Sequence, residues 1–133
     1  TACEPVARTW QHRLRNYPQT ELDVHEDSLG VSEIEAFVAG ARANDIRVLA
    51  SWPNTIDFPE YDDEPGFDEI KQLYASLGVP VVGEPDLGFY PFELFYDTQY
   101  HLDQRGIRLH SRDFIAAICA AGVLEQPCPP RTR

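Results

Sequence analysis

The stretch Ser32-Glu-Ile-Glu-Ala-Phe-Val-Ala-Gly-Ala-Arg-Ala-Asn-Asp-Ile-Arg-Val-Leu-Ala-Ser-Trp52 decides the fold class. Ser32 and Glu35 have capping-box spacing, in which each side chain satisfies a backbone donor at a helix start. Ile34, Phe37, Val38 and Ala41 then recur at helical spacing and predict a buried stripe. The helix is expected to stop near Asn44-Asp45. Ile46–Trp52 reads as a buried strand, ended by Pro53, which has no N–H to offer a ladder.

The helix-then-strand pattern repeats downstream. Phe67, Ile70, Leu73, Tyr74 and Leu77 form one helical face, Gly78 closes it, and Val79-Pro-Val-Val82 reads as a short strand. A long aromatic loop covers 83–100, punctuated by Pro85, Gly88 and Pro91. A last helix is expected from about Ile107 to Ala121, closed by Gly122, with Phe114, Ile115 and Ile118 inward. A helix over Val6–Arg15 and a strand over Glu21–His25 complete the reading. Such alternation implies parallel strands joined by right-handed crossovers, an α/β sheet covered by helices on both faces. Ligands gather at the carboxyl ends of such strands, which puts the segments after Trp52 and Val82 on the functional edge. The expected organisation is one α/β domain over 1–124 followed by a Pro-rich extended tail over 125–133.

The chain has 133 residues, enough for one core, and 43% of them are hydrophobic. No apolar run approaches the roughly 20 residues of a membrane span. Between Val48 and Gln104 stand twelve acids and one base, Lys71, while the remaining ten acids and ten bases balance, so the net charge of −11 comes from the centre of the chain. That excess argues against nucleic acid and anionic lipid as partners of the acidic face and leaves a cation, a neutral sugar, a basic partner or a plain solvated surface. Asp57, Glu60, Asp62, Asp63 and Glu64 offer oxygen ligands but lack the periodicity and glycine of a calcium loop, so no metal site and no cofactor is expected.

Three cysteines stand at Cys3, Cys119 and Cys128, none in C-x-x-C spacing. A Cys119–Cys128 disulfide would staple the tail to the last helix and suit an extracytoplasmic, oxidising compartment; free thiols are the alternative. The chain opens on Thr1-Ala2-Cys3, which resembles the end of a lipoprotein cleavage site, so a processed product or fragment is expected.

Chemistry is concentrated in Phe95-Tyr-Asp-Thr-Gln-Tyr-His101-Leu-Asp-Gln-Arg-Gly106. An imidazole titrates near neutral pH and passes protons to and from hydroxyls. A carboxylate on its other nitrogen fixes the tautomer. This block, followed by an amphipathic helix, resembles the Asp/His end of SGNH/GDSL-type hydrolases and their sugar O-acetylating relatives. The likeness extends more loosely over 31–121. It implies a catalytic pair, His101 as general base and Asp97 as its orienter, in an SGNH/flavodoxin-like sheet. The family often carries Asn where this chain has Asp103, and Asp where it has Thr98.

The implied function is an esterase or O-acyl-transfer domain, in its C-terminal portion, acting on a small-molecule or carbohydrate ester. The family's Gly-Asp-Ser block is not found here. Glu26-Asp27-Ser28-Leu29-Gly30 imitates it with Glu in place of the first Gly, so the serine is expected from a partner chain or a missing N-terminal half. The alternative is a non-catalytic extracytoplasmic module of the same descent, used for binding or assembly. An unrelated small α/β domain remains the third reading. His12, His25 and His110 have no partner in sequence and suit surface or structural roles. Trp52 and Asn54 follow a strand and suit either a pocket or, for Trp52, the core. The aromatics Phe89, Tyr90, Phe92, Phe95, Tyr96 and Tyr100 would either stack on sugar rings or plug the loop onto the sheet.

Overall fold

A computed structural model describes residues 22, 24, 25, 28–123 and 128. The expected helix at Val6–Arg15, the Thr1-Ala2-Cys3 opening and the tail 125–133 apart from Cys128 lie outside these residues. So do parts of the expected strand at Glu21–His25, whose described positions are not strand.

Among the described residues three helices form where periodicity places them. The first, α1 (Leu29–Ala43), starts earlier than the capping box implies. Ser28 is the N-cap, its Oγ accepting from the Val31 N–H at 3.2 Å. Ser32 lies inside the helix and donates to the Leu29 carbonyl at 2.9 Å. Ser28 is an equally good cap, and nothing in Leu29-Gly30-Val31 prevents another turn. Asp45 ends the helix with φ 57, a left-handed conformation that a short polar side chain tolerates. The buried stripe is Val31, Val38 and Ala41; Phe37, expected inside, is 66% exposed. At 100° per residue Phe37 sits roughly 80° off the centre of that stripe.

The strands are shorter than expected. β1 (Ala50–Ser51) and β3 (Val81–Val82) pair in one sheet, with the Ala50 N–H donating to the Pro80 carbonyl at 3.0 Å. β2 (Thr55–Ile56) and β4 (Phe89–Tyr90) form a second parallel pair in register Thr55↔Phe89 and Ile56↔Tyr90. These two strands fall in segments read as loop. Between them come α2 (Gly66–Ser76) and, after β4, α3 (Gln104–Ala120). The result is a small α/β fold with two two-stranded parallel sheets.

The chain divides into two compact units. In one, built from Pro18–Ser51 and Phe58–Val81, the core is Val31, Val38, Ala41, Tyr61 and Val79. Its acidic loop is a 3-10 turn (Pro59–Asp63), pinned by the buried Tyr61, which packs edge-on against Phe58 and Phe67 at 5.5 Å. The carboxylates of Glu60, Asp62 and Asp63 face outward, as their solvation cost requires.

The other unit holds Trp52–Asp57 and the chain from Val82 on, and the motif lies in it. Its core is Trp52, Thr55, Ile56, Val82, Tyr90, Phe95 and Gln99. Two glycines permit close backbone approach. A Cβ on Gly88 would fall 2.2 Å from the Pro53 carbonyl oxygen, and one on Gly106 would fall 2.9 Å from that of Leu94. Gly106 therefore serves packing inside the first turn of α3. Ile115, expected inward, is exposed, while Phe114 and Ile118 are half-buried.

Candidate functional site

The segment from Phe95 to Asp103 is a closed loop between a 3-10 turn (Phe92–Leu94) and α3. Phe95 and Leu102 form an antiparallel bridge at its neck. The Tyr96 N–H donates to the His101 carbonyl at 2.8 Å, and the Asp103 N–H to the Leu94 carbonyl at 2.6 Å. Phe95 is fully buried, so the loop is plugged into the core from its first residue. The Tyr100 N–H donates to Thr98 Oγ1 at 3.2 Å, and the His101 N–H to the Thr98 carbonyl at 3.4 Å. Thr98 thus tightens the loop at the position where the resembled family places an Asp.

Within this frame the two expected site residues meet. His101 Nδ1 lies 2.8 Å from Asp97 Oδ1. Acceptance by the carboxylate puts a proton on Nδ1 and leaves the Nε2 lone pair for a substrate proton. The His101 side chain is 66% exposed, and among the described residues it bonds to Asp97 alone. The pair therefore has the arrangement a general base needs: an orienter on one nitrogen of a largely exposed ring.

Three of the chain's serines are engaged beside or within their own helices. There are five in all, at 28, 32, 51, 76 and 111. Ser28 caps α1, Ser32 bonds to Leu29 O, and Ser76 bonds to Leu73 O at 2.7 Å, each within or beside its own helix. Ser51 lies in β1, and Ser111 lies on α3 in the same unit as His101 without bonding to it. Ser28, the imitation of the Gly-Asp-Ser serine, is a helix cap.

Asp103 caps α3. Its Oδ1 accepts from the N–H groups of Arg105 and Gly106, both at 2.8 Å, and its Oδ2 accepts from Arg105 Nε at 3.0 Å. Partial burial alone would raise its pKa, but the bond from the Gly106 N–H and those from Arg105 outweigh it and hold the carboxyl below its ordinary value. The sequence carried a signal for this cap, an Asp directly before a helix-forming run, and the helix starts three residues before the position expected.

The aromatic loop divides its roles. Phe95 and Tyr90 are core, Phe89 and Phe92 are half-buried, and Tyr96 and Tyr100 remain 41% and 46% exposed on either side of Asp97 in the chain. Trp52 is core as well, its Nε1 donating to the Gly83 carbonyl at 3.0 Å. Asn54, half-buried, donates from Nδ2 to the Tyr100 carbonyl.

His110, isolated in sequence, gains a partner in the fold. Its Nδ1 lies 3.3 Å from the Tyr90 hydroxyl, which also donates to Leu87 O at 3.2 Å and reaches Asp113 Oδ2 at 3.5 Å. The His110 ring stacks on Phe114 at 5.9 Å. Burial, then the charge and hydrogen bond of Asp113, push the Tyr90 pKa up to about 12, with Arg112 opposing them. This network fastens β4 to α3. Beside it lies a shallow cleft of about 360 Å³ between Glu84, Asp86, Phe89, Tyr90 and Asp113.

Among the described residues no group of three His, Cys, Asp or Glu side chains could hold a metal ion. No described helix is long and apolar enough to cross a membrane. Cys119, at the end of α3, is joined to Cys128 by a disulfide. Against known proteins the chain matches no family model, no curated protein and no solved structure, so the reading of its site rests on its own geometry.

Proposed function

We propose that the chain supplies the general-base half of an SGNH-like esterase or O-acyl-transfer site, with Asp97 orienting His101. The single observation that carries this is the 2.8 Å contact of Asp97 on Nδ1 of a His101 side chain that is 66% exposed. In such a site Nε2 removes the proton of a serine hydroxyl as its oxygen attacks the ester carbonyl. The proton then passes to the departing alkoxide, and water repeats the sequence on the acyl-serine. Among the described residues no serine hydroxyl is bonded to His101, and this reading takes the hydroxyl from a partner or a further segment. Tyr96 and Tyr100 beside the pair suit a carbohydrate ester. The SGNH/flavodoxin-like sheet is part of the same proposal, with β1–β3 and β2–β4 as its visible ladders. The disulfide supports an extracytoplasmic setting.

A second reading, a non-catalytic binding or assembly module of the same descent, is favoured by the local engagement of Ser28, Ser32 and Ser76. Hydrolysis of p-nitrophenyl acetate separates the two, because an oriented imidazole can act on this activated ester through water without the serine. His101→Ala is expected to lower the rate by on the order of a hundredfold or more, and Asp97→Asn by less. An exposed His101 makes its replacement tolerable to the fold. Equal rates for wild type and His101→Ala would remove the catalytic reading and leave the module.

A further inference from the structure

We infer that Asn54 is a positioning residue for His101, a role that rests on the proposed general-base reading and deepens it. Asn54 sits between two fixed points. Before it, Pro53 is held by the close approach of its carbonyl to Gly88. After it, Thr55 and Ile56 are buried and paired in register with Phe89 and Tyr90. A side chain based there has little freedom of origin.

From that base the Asn54 amide donates to the Tyr100 carbonyl, in the residue just before His101. Only Nδ2 can make this bond, since a carbonyl accepts and does not donate. The neighbouring groups show why it matters. The peptide plane between Tyr100 and His101 is gripped on both edges, its C=O by Asn54 and its N–H by the Thr98 carbonyl. The His101 carbonyl takes the Tyr96 N–H. Asn54 thus ties the loop tip to the start of β2, outside the loop. Fixing that peptide plane, together with the held His101 carbonyl, fixes the direction of the His101 Cα–Cβ bond. The imidazole then meets Asp97 at 2.8 Å without searching for it. A displacement of about 1 Å at a reacting group can lower a rate by on the order of a hundredfold, so the tie has catalytic weight.

The test compares Asn54→Asp, which keeps size and shape but has no donor, with Asn54→Ala. Two readouts are taken: the ¹⁵N and ¹H signals of the His101 imidazole, and p-nitrophenyl acetate hydrolysis resolved into kcat and KM. Both variants are expected to keep the circular dichroism of the wild type. The Nδ1–H signal of His101 should exchange faster or vanish, and kcat should fall by ten- to a hundredfold with KM little changed. An unaltered imidazole signal in folded variants would overturn the inference. Loss of fold in both variants would overturn it too, because the bond would then hold the strand and not the loop. If the imidazole signal moves while the wild type proves inactive, the positioning role stands and the catalytic reading fails.

Discussion

Removing the cap at Asp103 tests how α3 is held beneath the loop that carries His101. One carboxylate accepts from two backbone N–H groups at 2.8 Å and from the Arg105 guanidinium at 3.0 Å, and Arg105 in turn donates to the Glu93 carbonyl at 2.8 Å. Replacing an Asp N-cap by Ala costs about 1 kcal/mol, within a range of about 0.5–2. The charge at a helix N-terminus adds about 0.3–1 kcal/mol. The ion pair with an exposed arginine adds little. Because one group makes all three interactions, Asp103→Ala should cost about 1.5–2 kcal/mol at pH 7, near 1 M in the urea midpoint for a slope of about 1.5 kcal/mol/M. Asp103→Asn keeps an acceptor oxygen and should lose about half as much.

The pH dependence carries the sign. The folded carboxyl titrates below its ordinary value of about 3.9, so its stabilisation is fully present above that value. It is lost as pH falls through the depressed folded value. Urea titrations followed by circular dichroism at pH 7 and at pH 3 or below should therefore show the gap between wild type and Asp103→Ala narrowing in acid. A gap that is constant or widens would refute the account of the cap as a charged acceptor.

Two further expectations follow from packing and covalent structure. Phe95 is fully buried at the neck of the loop, so Phe95→Ala should lower stability by about 3–5 kcal/mol in urea unfolding; a loss under 1 kcal/mol would mean that the loop is not plugged into the core. The disulfide closes a sequence separation of 9, for which chain entropy gives about 2.5 kcal/mol. Cys128→Ser should lower the unfolding free energy by about that amount, and intact mass should rise by about 2 Da on reduction of the wild type; an unchanged mass would show that no disulfide forms.

The site was half legible. Asp97 and His101 stand four residues apart in one short block, so their meeting is nearly local and a reader of the chain could pair them. Asn54 reaches Tyr100 across 46 positions, and Tyr90 reaches His110 across 20. No local pattern encodes such distances. Which aromatics were buried was equally hidden, since Phe95 and Tyr96 are adjacent and only the β-bridge at Phe95 and Leu102 decides that one points inward.

By itself the sequence determined three helices, their approximate ends, the α/β class and the Asp97–His101 candidate pair. Helices repeat at 3.6 residues and start and stop on local caps, so each carries its own signature in one continuous segment. Tertiary structure alone decided the rest. A strand of two residues has no period to read, and its existence depends on a partner far along the chain, as for Thr55↔Phe89 and Ile56↔Tyr90. It also decided which helical face is covered, exposing Phe37 and Ile115, because the stripe that is buried depends on what packs against it. Most of all it turned a pair of residues into a geometry, Asp97 on Nδ1 of a largely exposed ring, which no spacing can specify.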